Sequence, residues 1–244
     1  MHGFYVPDGE TVHIPVARFR SHTEHDVGMA DPVMPSPLVQ PQSAGGPPAF
    51  AFYHDGMREV QAGFDSTRLA TRLEQLTVHA SFSEADRTFI ESASMVFVAT
   101  ADADGRPDCS YKGGHPGFIR ILNDTTLAIP FYDGNGQYRT LGNSRSNPAV
   151  GLLFVDFAAR NRLRINGDTE LVTRDTDAAF VASFEGAEAV LKVMLRHAFP
   201  NCPRYVHDIG AGAISDYAPA PGHTPPEPDW KQRESFQPFL PKPR

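Results

Sequence analysis

Two short segments combine glycines with a basic side chain. Lys112 comes just before Gly113 and Gly114, and Arg139 follows the glycine-rich loop 133–136. This combination suits a phosphate dianion, which is bound by an arginine fork, a lysine point charge and backbone N–H groups at a helix N-terminus. Glycines also let the backbone approach a flat ring without interference from a Cβ atom. The segments therefore predict a phosphate-bearing ligand; the alternative is that both cations are solvated surface charges beside ordinary turns.

Other patterns in the sequence do not meet the requirements of their motifs. Residues 134–139 begin like a dinucleotide-binding fingerprint, but arginine stands where the third glycine belongs. The sequence has no Walker motif, no nucleophile elbow and no zincin helix. His197, Cys202 and His207 are separated by four residues each, but a fourth ligand is missing. We therefore predict no metal site.

The elements that must position the two basic segments follow from hydrophobic periodicity. Apolar, β-rich runs predict strands at 95–101, 107–112, 118–122, 126–131, 149–157, 162–166 with a continuation at 170–173, and 189–199. Helical spacing predicts helices over 66–76, 83–93 and 175–184, and a helix start at Arg139. Six or more short strands with turns between them are typical of a closed or sandwiched β architecture. The fold class is therefore mainly β with flanking helices.

Composition narrows the class of protein. The net charge of −7 gives no general attraction to nucleic acid or to anionic lipid. No apolar run approaches the roughly 18 residues that a membrane span needs. Cys109 and Cys202 are too few for a disulfide framework, and no signal peptide is visible at the N-terminus. We expect a cytoplasmic protein without nucleic-acid or membrane partners.

Proline marks the ends of the expected domain. Of the 22 prolines, 8 lie in residues 1–50 and 8 in residues 216–244. Because proline fixes φ and lacks a backbone donor, both ends disfavour helices and sheets. We therefore expect a proline-rich extension at 1–50, a folded domain at 51–215, and a proline-rich tail at 216–244 that is weakly ordered or draped over the domain.

The middle of the chain resembles a known family, the pyridoxamine 5′-phosphate oxidase-like, FMN-binding split β-barrel proteins. The resemblance rests on motifs in the same order along both sequences. These motifs are at 99–108, 110–118, 132–136, 141–143, 147–154 and 162–167, with flanking matches at 52–57 and 199–205. The resemblance implies a six-stranded split β-barrel with N-terminal helices, which forms a homodimer with FMN at the dimer interface.

The resemblance also implies roles for particular residues. Lys112 and Arg139 would neutralise the FMN phosphate, and Tyr138 or Thr140 would add hydrogen bonds. The remaining expected contacts are with the ring system. Ser110 and Tyr111 would lie along the flavin and present backbone groups to its pyrimidine edge, and Arg164 would place a cation near N1 and O2 or form a salt bridge on the barrel rim.

Two departures from the family pattern qualify these expectations. His115 stands in the segment 113–117, where relatives have proline, and is a candidate proton donor near the flavin or an ordinary loop residue. Residues 239–244 lack the arginine- and tryptophan-bearing end with which authentic pyridoxamine phosphate oxidases hold their substrate, so vitamin B6 oxidation is not expected. Asn135 and Asn143 are expected to fix loops, and Cys109 to be a small packed side chain.

The resulting functional hypothesis is an FMN-dependent oxidoreductase. It would transfer hydride or electrons between a reduced nicotinamide and a small acceptor, with the isoalloxazine supplying the chemistry. One alternative is a flavin or haem carrier or sensor without turnover, for which the region of His197 and His207 would supply an axial ligand. Another is a reductase that uses a deazaflavin cofactor.

Overall fold

The computed structural model of the protein describes residues 2–5, 11–14 and 51–242. The chain divides into a unit of residues 1–34 and a unit of residues 35–244. In the first unit, strands β1 (His2–Tyr5) and β2 (Thr11–Ile14) pair in an antiparallel ladder. The rest of the predicted extension 1–50 lies outside the described residues. All other elements belong to the second unit.

The second unit is built on one antiparallel sheet of seven strands. These are β3 (Met95–Ala101), β4 (Pro107–Gly113), β5 (Arg120–Asn123), β6 (Thr126–Tyr132), β7 (Ala149–Asp156), β8 (Asn161–Thr173) and β9 (Ala187–Asn201). Their order across the sheet is β4-β3-β7-β8-β9-β6-β5. The predicted strands are confirmed, and the two runs at 162–166 and 170–173 form one continuous strand.

The sheet curls until its two edges approach each other. The Nζ atom of Lys112, on edge strand β4, lies 4.6 Å from the centroid of the Phe131 ring on β6, which is next to the opposite edge. Alternate side chains fill the interior, where Val98, Ile129 and Phe154 are fully buried. The sheet does not close, and the predicted split-barrel fold class is confirmed. The sheet has one strand more than the six expected, because the short β5 pairs with β6.

Five helices flank the sheet within residues 51–242. They are α1 (Asp55–Gly63), α2 (Thr67–Thr77), α3 (Glu84–Ser92), α4 (Arg139–Ser146) and α5 (Arg174–Ala182). A capping box formed by Ser83 and Asp86 opens α3. Helix α1 was not predicted, and none of its residues is buried, so no core-facing stripe marks it. In the described part of the chain no helix combines the length and apolarity needed to cross a membrane.

The long strands β8 and β9 approach very closely at a bulge. Their register shifts between Asn166 and Gly167. A Cβ atom added to Gly167 would lie 2.3 Å from the carbonyl oxygen of Met194, far inside van der Waals contact. A residue without a side chain is therefore required where the two backbones meet.

The C-terminal segment packs on helix α2. Arg72 donates from Nε to the carbonyl oxygen of Ser235 at 3.3 Å, and its guanidinium lies 5.4 Å from the centroid of the Phe239 ring. Arg68 donates to the carbonyl oxygen of Pro238 at 3.3 Å. Phe236 is buried at 5% exposure. Residues 235–239, within the segment predicted as a tail, therefore lie against α2.

A buried ion pair fastens the link between α2 and α3 to the sheet. Nε2 of His79 lies 2.6 Å from Oδ2 of Asp86, and Nδ1 lies 3.1 Å from the carbonyl oxygen of Thr77. The hydrogen bond to Asp86 raises the pKa of His79, although burial opposes it. Burial raises the pKa of Asp86, but hydrogen bonds from His79 and Ser83 outweigh burial and hold that pKa below its usual value. The His79 backbone also pairs with Ala198 of β9.

We expect this pair to stabilise the fold most between roughly pH 4 and pH 6.5, the unfolded pKa values of its two members. As the pH rises through the raised folded pKa of His79, its stabilisation is lost. As the pH falls through the lowered folded pKa of Asp86, the stabilisation that the Asp86 carboxylate contributes is lost as well. Urea unfolding of the wild type and His79→Gln should therefore differ more at about pH 5.5 than at about pH 8.5. An equal difference at both values would contradict the assignment.

Candidate functional site

Edge strand β4 divides the predicted site residues between its two faces. Asp108, Ser110 and Lys112 alternate on the half-buried face, whereas Cys109 and Tyr111 are exposed on the other. This follows from the two-residue period of a strand. The predicted neighbours Ser110, Tyr111 and Lys112 therefore cannot all direct side chains to one side of a ligand.

Lys112 is a half-buried cation without a matching carboxylate. Its ammonium lies against the face of Phe131, and burial lowers its pKa, opposed by the nearby charge of Asp108. Among residues 51–242, no carboxylate oxygen lies within 4.0 Å of its Nζ. A desolvated ammonium is stabilised by an anion, so this position is suited to a negatively charged ligand.

Arg139 is the first residue of α4 and presents an open guanidinium. Its Nε donates to Oδ1 of Asp108 at 2.8 Å, and its side chain is 62% exposed. The two terminal nitrogens have no partner in the described part of the chain. The preceding residue, Tyr138, has a left-handed backbone with φ 47°. Arg139 therefore lies at a helix N-terminus, where unpaired N–H groups favour an anion.

Asp108 links the two predicted cations. It bonds to Arg139 directly and is the charge that acts on the pKa of Lys112. No role for Asp108 was predicted, although its spacing from Lys112 by four residues on a strand places both side chains on one face. The three side chains form a cluster with one net positive charge, and we call Asp108, Lys112 and Arg139 the basic cluster.

The side chains on either side of Arg139 point elsewhere. Tyr138 donates its hydroxyl to Oε2 of Glu188 at 2.7 Å, and this hydrogen bond raises the pKa of the phenol. Thr140 is buried at 4% exposure, so its side chain presents almost no surface to a ligand within one protomer. Their predicted contacts with a phosphate remain predictions.

The outer face of the sheet carries a row of five side chains in register. Tyr111 lies opposite Phe97, Phe97 opposite Leu153, Leu153 opposite Arg164, and Arg164 opposite Phe199. The Arg164 guanidinium lies 5.0 Å from the centroid of the Phe199 ring. Three strand spacings, roughly 14 Å, separate Arg164 from Tyr111. Within one protomer, Arg164 is therefore on the opposite face of the sheet from the basic cluster.

The glycines after Lys112 have different surroundings. A Cβ atom on Gly113 would lie 2.9 Å from the ring and hydroxyl of Tyr111, and one on Gly114 would lie 2.5 Å from Phe118. Close packing on the buried Phe118 therefore requires glycine at position 114, whereas at position 113 the exposed Tyr111 ring could move aside. His115 follows in an exposed loop.

The two asparagines hydrogen bond within the protein. The Asn135 side chain accepts from the backbone N–H of Gln137 at 3.1 Å, and Asn143 donates to Oγ1 of Thr100 at 3.1 Å. These bonds fix the glycine-rich loop and attach α4 to β3.

Cys109 is exposed, although it was predicted to be a small packed side chain. The reason is that Cys109 lies on the outer face of the sheet.

His197, on strand β9, packs against the ring of Phe52. Its ring centroid is 5.2 Å from that of Phe52, and burial, together with the charge of Arg196, lowers its pKa. The imidazole is therefore neutral near pH 7.

The residues that the structure describes contain no group of three or more His, Cys, Asp or Glu side chains that could hold a metal ion.

Most of the curled sheet is similar in sequence to a known protein family. Residues 82–194 match the family model for pyridoxamine 5′-phosphate oxidase. No curated protein matches the chain. Among solved structures, a putative pyridoxamine 5′-phosphate oxidase from Lactobacillus delbrueckii is 22% identical, with 50% of this chain and 95% of that chain covered and a TM-score of 0.41.

Two further solved structures are similar over about half of this chain. HupZ from Group A Streptococcus is 22% identical, with coverages of 49% of this chain and 93% of that chain and a TM-score of 0.38. HutZ, the haem storage protein from Vibrio cholerae, is 21% identical, with coverages of 44% and 84% and a TM-score of 0.32.

The family match covers most of the curled sheet. It begins at Phe82, before α3, and ends within β9, so it includes the basic cluster. The predicted resemblance is confirmed over this range. Residues 82–194 are therefore similar in sequence to the pyridoxamine 5′-phosphate oxidase family.

Proposed function

We propose that the protein binds FMN and is an FMN-dependent oxidoreductase that transfers hydride or electrons between a reduced nicotinamide and a small acceptor. The observation that carries this proposal is the basic cluster. Lys112 and Arg139 belong to different elements, yet both act on Asp108. A single terminal phosphate, as in FMN, is matched by two such cations at a helix N-terminus.

The residues present fit the phosphate. Lys112 is half-buried without a carboxylate within salt-bridge distance among the described residues, and Asp108 holds only the Nε edge of Arg139. The terminal nitrogens of Arg139 would bind two phosphate oxygens, and Lys112 would supply the second positive charge. Asp108 would orient the guanidinium while leaving the cluster with a net positive charge.

The flavin ring has a matching surface at the edge of the sheet. Among the described residues strand β4 pairs only with β3, so alternate residues direct their backbone N–H and C=O groups away from the sheet. Ser110 faces Val98 of β3, whereas the backbone groups of Tyr111 face outward and would be able to bond to the pyrimidine edge. The Tyr111 ring is 59% exposed and packs at 6.0 Å, edge to face, on Phe97. It would cover one side of the ring system.

A second copy of the chain would complete the site. The outer face of the sheet leaves Met95, Phe97, Leu153 and Val155 only half-buried. Apolar sheet faces of this kind are covered in isologous dimers. Because Arg164 lies on that same face, away from the basic cluster of its own chain, the cation near flavin N1 and O2 would come from the second copy.

Bound FMN would supply the hydride and electron transfer. The chain would bind the phosphate, orient the ring, exclude water through the apolar outer face, and stabilise negative charge with Arg164. No nucleophile is needed for this chemistry. The exposed His115 remains a candidate proton donor.

The test is the spectrum and the mass of whatever small molecule accompanies the purified full-length protein. We expect a yellow protein that releases FMN on denaturation, one per chain, and that elutes as a dimer. Anaerobic NADH or NADPH should bleach it. Colourless protein that does not bind added FMN would contradict the proposal. Release of a deazaflavin would show that the cofactor is a deazaflavin and not FMN.

A haem-binding function is the second candidate, because His197 has the properties of an axial ligand. It is neutral near pH 7 and lies against Phe52. A Soret band that appears on addition of haemin and is lost in His197→Ala would support this function. Unchanged haem binding in that variant would exclude His197 as the ligand.

A further inference from the structure

A groove of about 770 Å³ lies on the side of α4 away from the basic cluster. Its walls are formed by α4, the end of β8 and the start of β9. The residues that matter for its chemistry are Tyr138, Leu141, Arg145, Leu171, Arg174 and Glu188. This volume is within the range of sites for small organic ligands, roughly 300–1,000 Å³.

The groove contains two arginines in different states. Arg145, near the end of α4, is exposed, and its side chain makes no ion pair or hydrogen bond within the described part of the chain. Arg174 is held in place because it donates to the carbonyl oxygen of Ala187 at 3.1 Å. Thr173, which also lines the groove, directly precedes α5, whose backbone is kinked at Asp177. One fixed cation and one unpaired cation favour an anion.

The rest of the groove is divided between apolar and polar groups. Leu141 and Leu171 give it apolar walls. The Tyr138 hydroxyl and the Glu188 carboxylate, 2.7 Å apart, form a polar pair at its margin. A carboxylate that already accepts one hydrogen bond retains capacity for a second donor. A ligand hydroxyl or amino group would satisfy that capacity.

We propose that this groove is a second binding site, separate from the basic cluster, for a small hydroxylated organic anion. Its carboxylate or phosphate would bind Arg145 and Arg174, its hydroxyl or amino group would bind Glu188, and an apolar or aromatic body would lie against Leu141 and Leu171. The two sites are adjacent in sequence, since Tyr138 lines the groove and Arg139 belongs to the basic cluster.

The experiment is calorimetric titration of the full-length protein, with its cofactor content as purified, with two pairs of probes. Adenosine 5′-monophosphate is compared with adenosine, and 4-hydroxybenzoate with 4-hydroxybenzamide. We expect at least one anion to bind more tightly than about 1 mM and its uncharged analogue to bind at least about tenfold more weakly. Whichever of the two anions binds more tightly shows whether the groove prefers a phosphate or a carboxylate.

Variants locate the bound probe. Arg145→Gln and Arg174→Gln should each weaken the anion by about tenfold or more. Arg160→Gln is the matched control, because this exposed arginine lies just before β8, at the other end of that strand from the groove. Lys112→Ala should leave binding unchanged. Overturning results are no binding of either anion, equal binding of the uncharged analogues, or a loss that follows Lys112 and not Arg145.

Discussion

Replacing Arg139 by alanine is expected to weaken FMN binding by about 1.5–3 kcal/mol, or roughly 10- to 150-fold, because a charge-assisted bond to the phosphate is lost. Lys112→Ala is expected to have an effect of similar size. Arg139→Lys should recover little, since an ammonium cannot reproduce the fork whose Nε edge Asp108 holds. The measurement is quenching of flavin fluorescence on titration of apoprotein with FMN.

Riboflavin makes this prediction specific, because it has the same ring system and no phosphate. The wild type should prefer FMN strongly, and each variant should lose most of that preference while binding riboflavin as the wild type does. Arg106→Ala is the matched control, since Arg106 is an exposed arginine that pairs with Asp102 and Asp104 in the β3–β4 turn. If both variants keep the wild-type preference for FMN, the phosphate binds elsewhere.

The second large effect concerns stability. Gly167→Ala is expected to lower the free energy of unfolding by about 2–4 kcal/mol, because its Cβ atom would meet the Met194 carbonyl oxygen and force the β8–β9 bulge apart. The measurement is the midpoint of urea unfolding at constant pH.

Gly63→Ala is the matched control for this prediction. Apart from its chain neighbours and the backbone of its own helix, no heavy atom lies within 4 Å of a Cβ atom at Gly63, the last residue of α1. We expect a change within about 1 kcal/mol, in the stabilising direction. Equal destabilisation by the two substitutions would contradict the assignment of the clash.

Periodicity predicted strands such as β3 and β7 well because each of them buries alternate side chains on one side. Val96 and Val98 on β3 alternate with half-buried or exposed neighbours, and this signal is local. The relation between strands is not local. Nothing in the sequence alone places Lys112 of β4 over Phe131 of β6, since that contact depends on how far the sheet curls.

Some residues of the candidate site were predicted and others were not, because contacts between distant elements are not visible in the local sequence. The resemblance identifies Lys112 and Arg139 as partners, but not Asp108, whose role depends on a contact across 31 residues. It also groups Arg164 with them, although Arg164 lies on the outer face of the sheet. The registers of β4 with β3, of β3 with β7 and of β7 with β8 together separate these side chains, and register is fixed by the whole sheet.

The contacts between helix α2 and the C-terminal segment have a consequence for biosynthesis. Arg72 and Arg68 bind carbonyl groups that follow them by 163 and 170 residues. During translation these two arginines therefore lack these carbonyl partners until residues 235 and 238 have left the ribosome, and helix α2 spends that time without this cover. Removal of residues 235–239 would leave the same surface bare in the finished molecule.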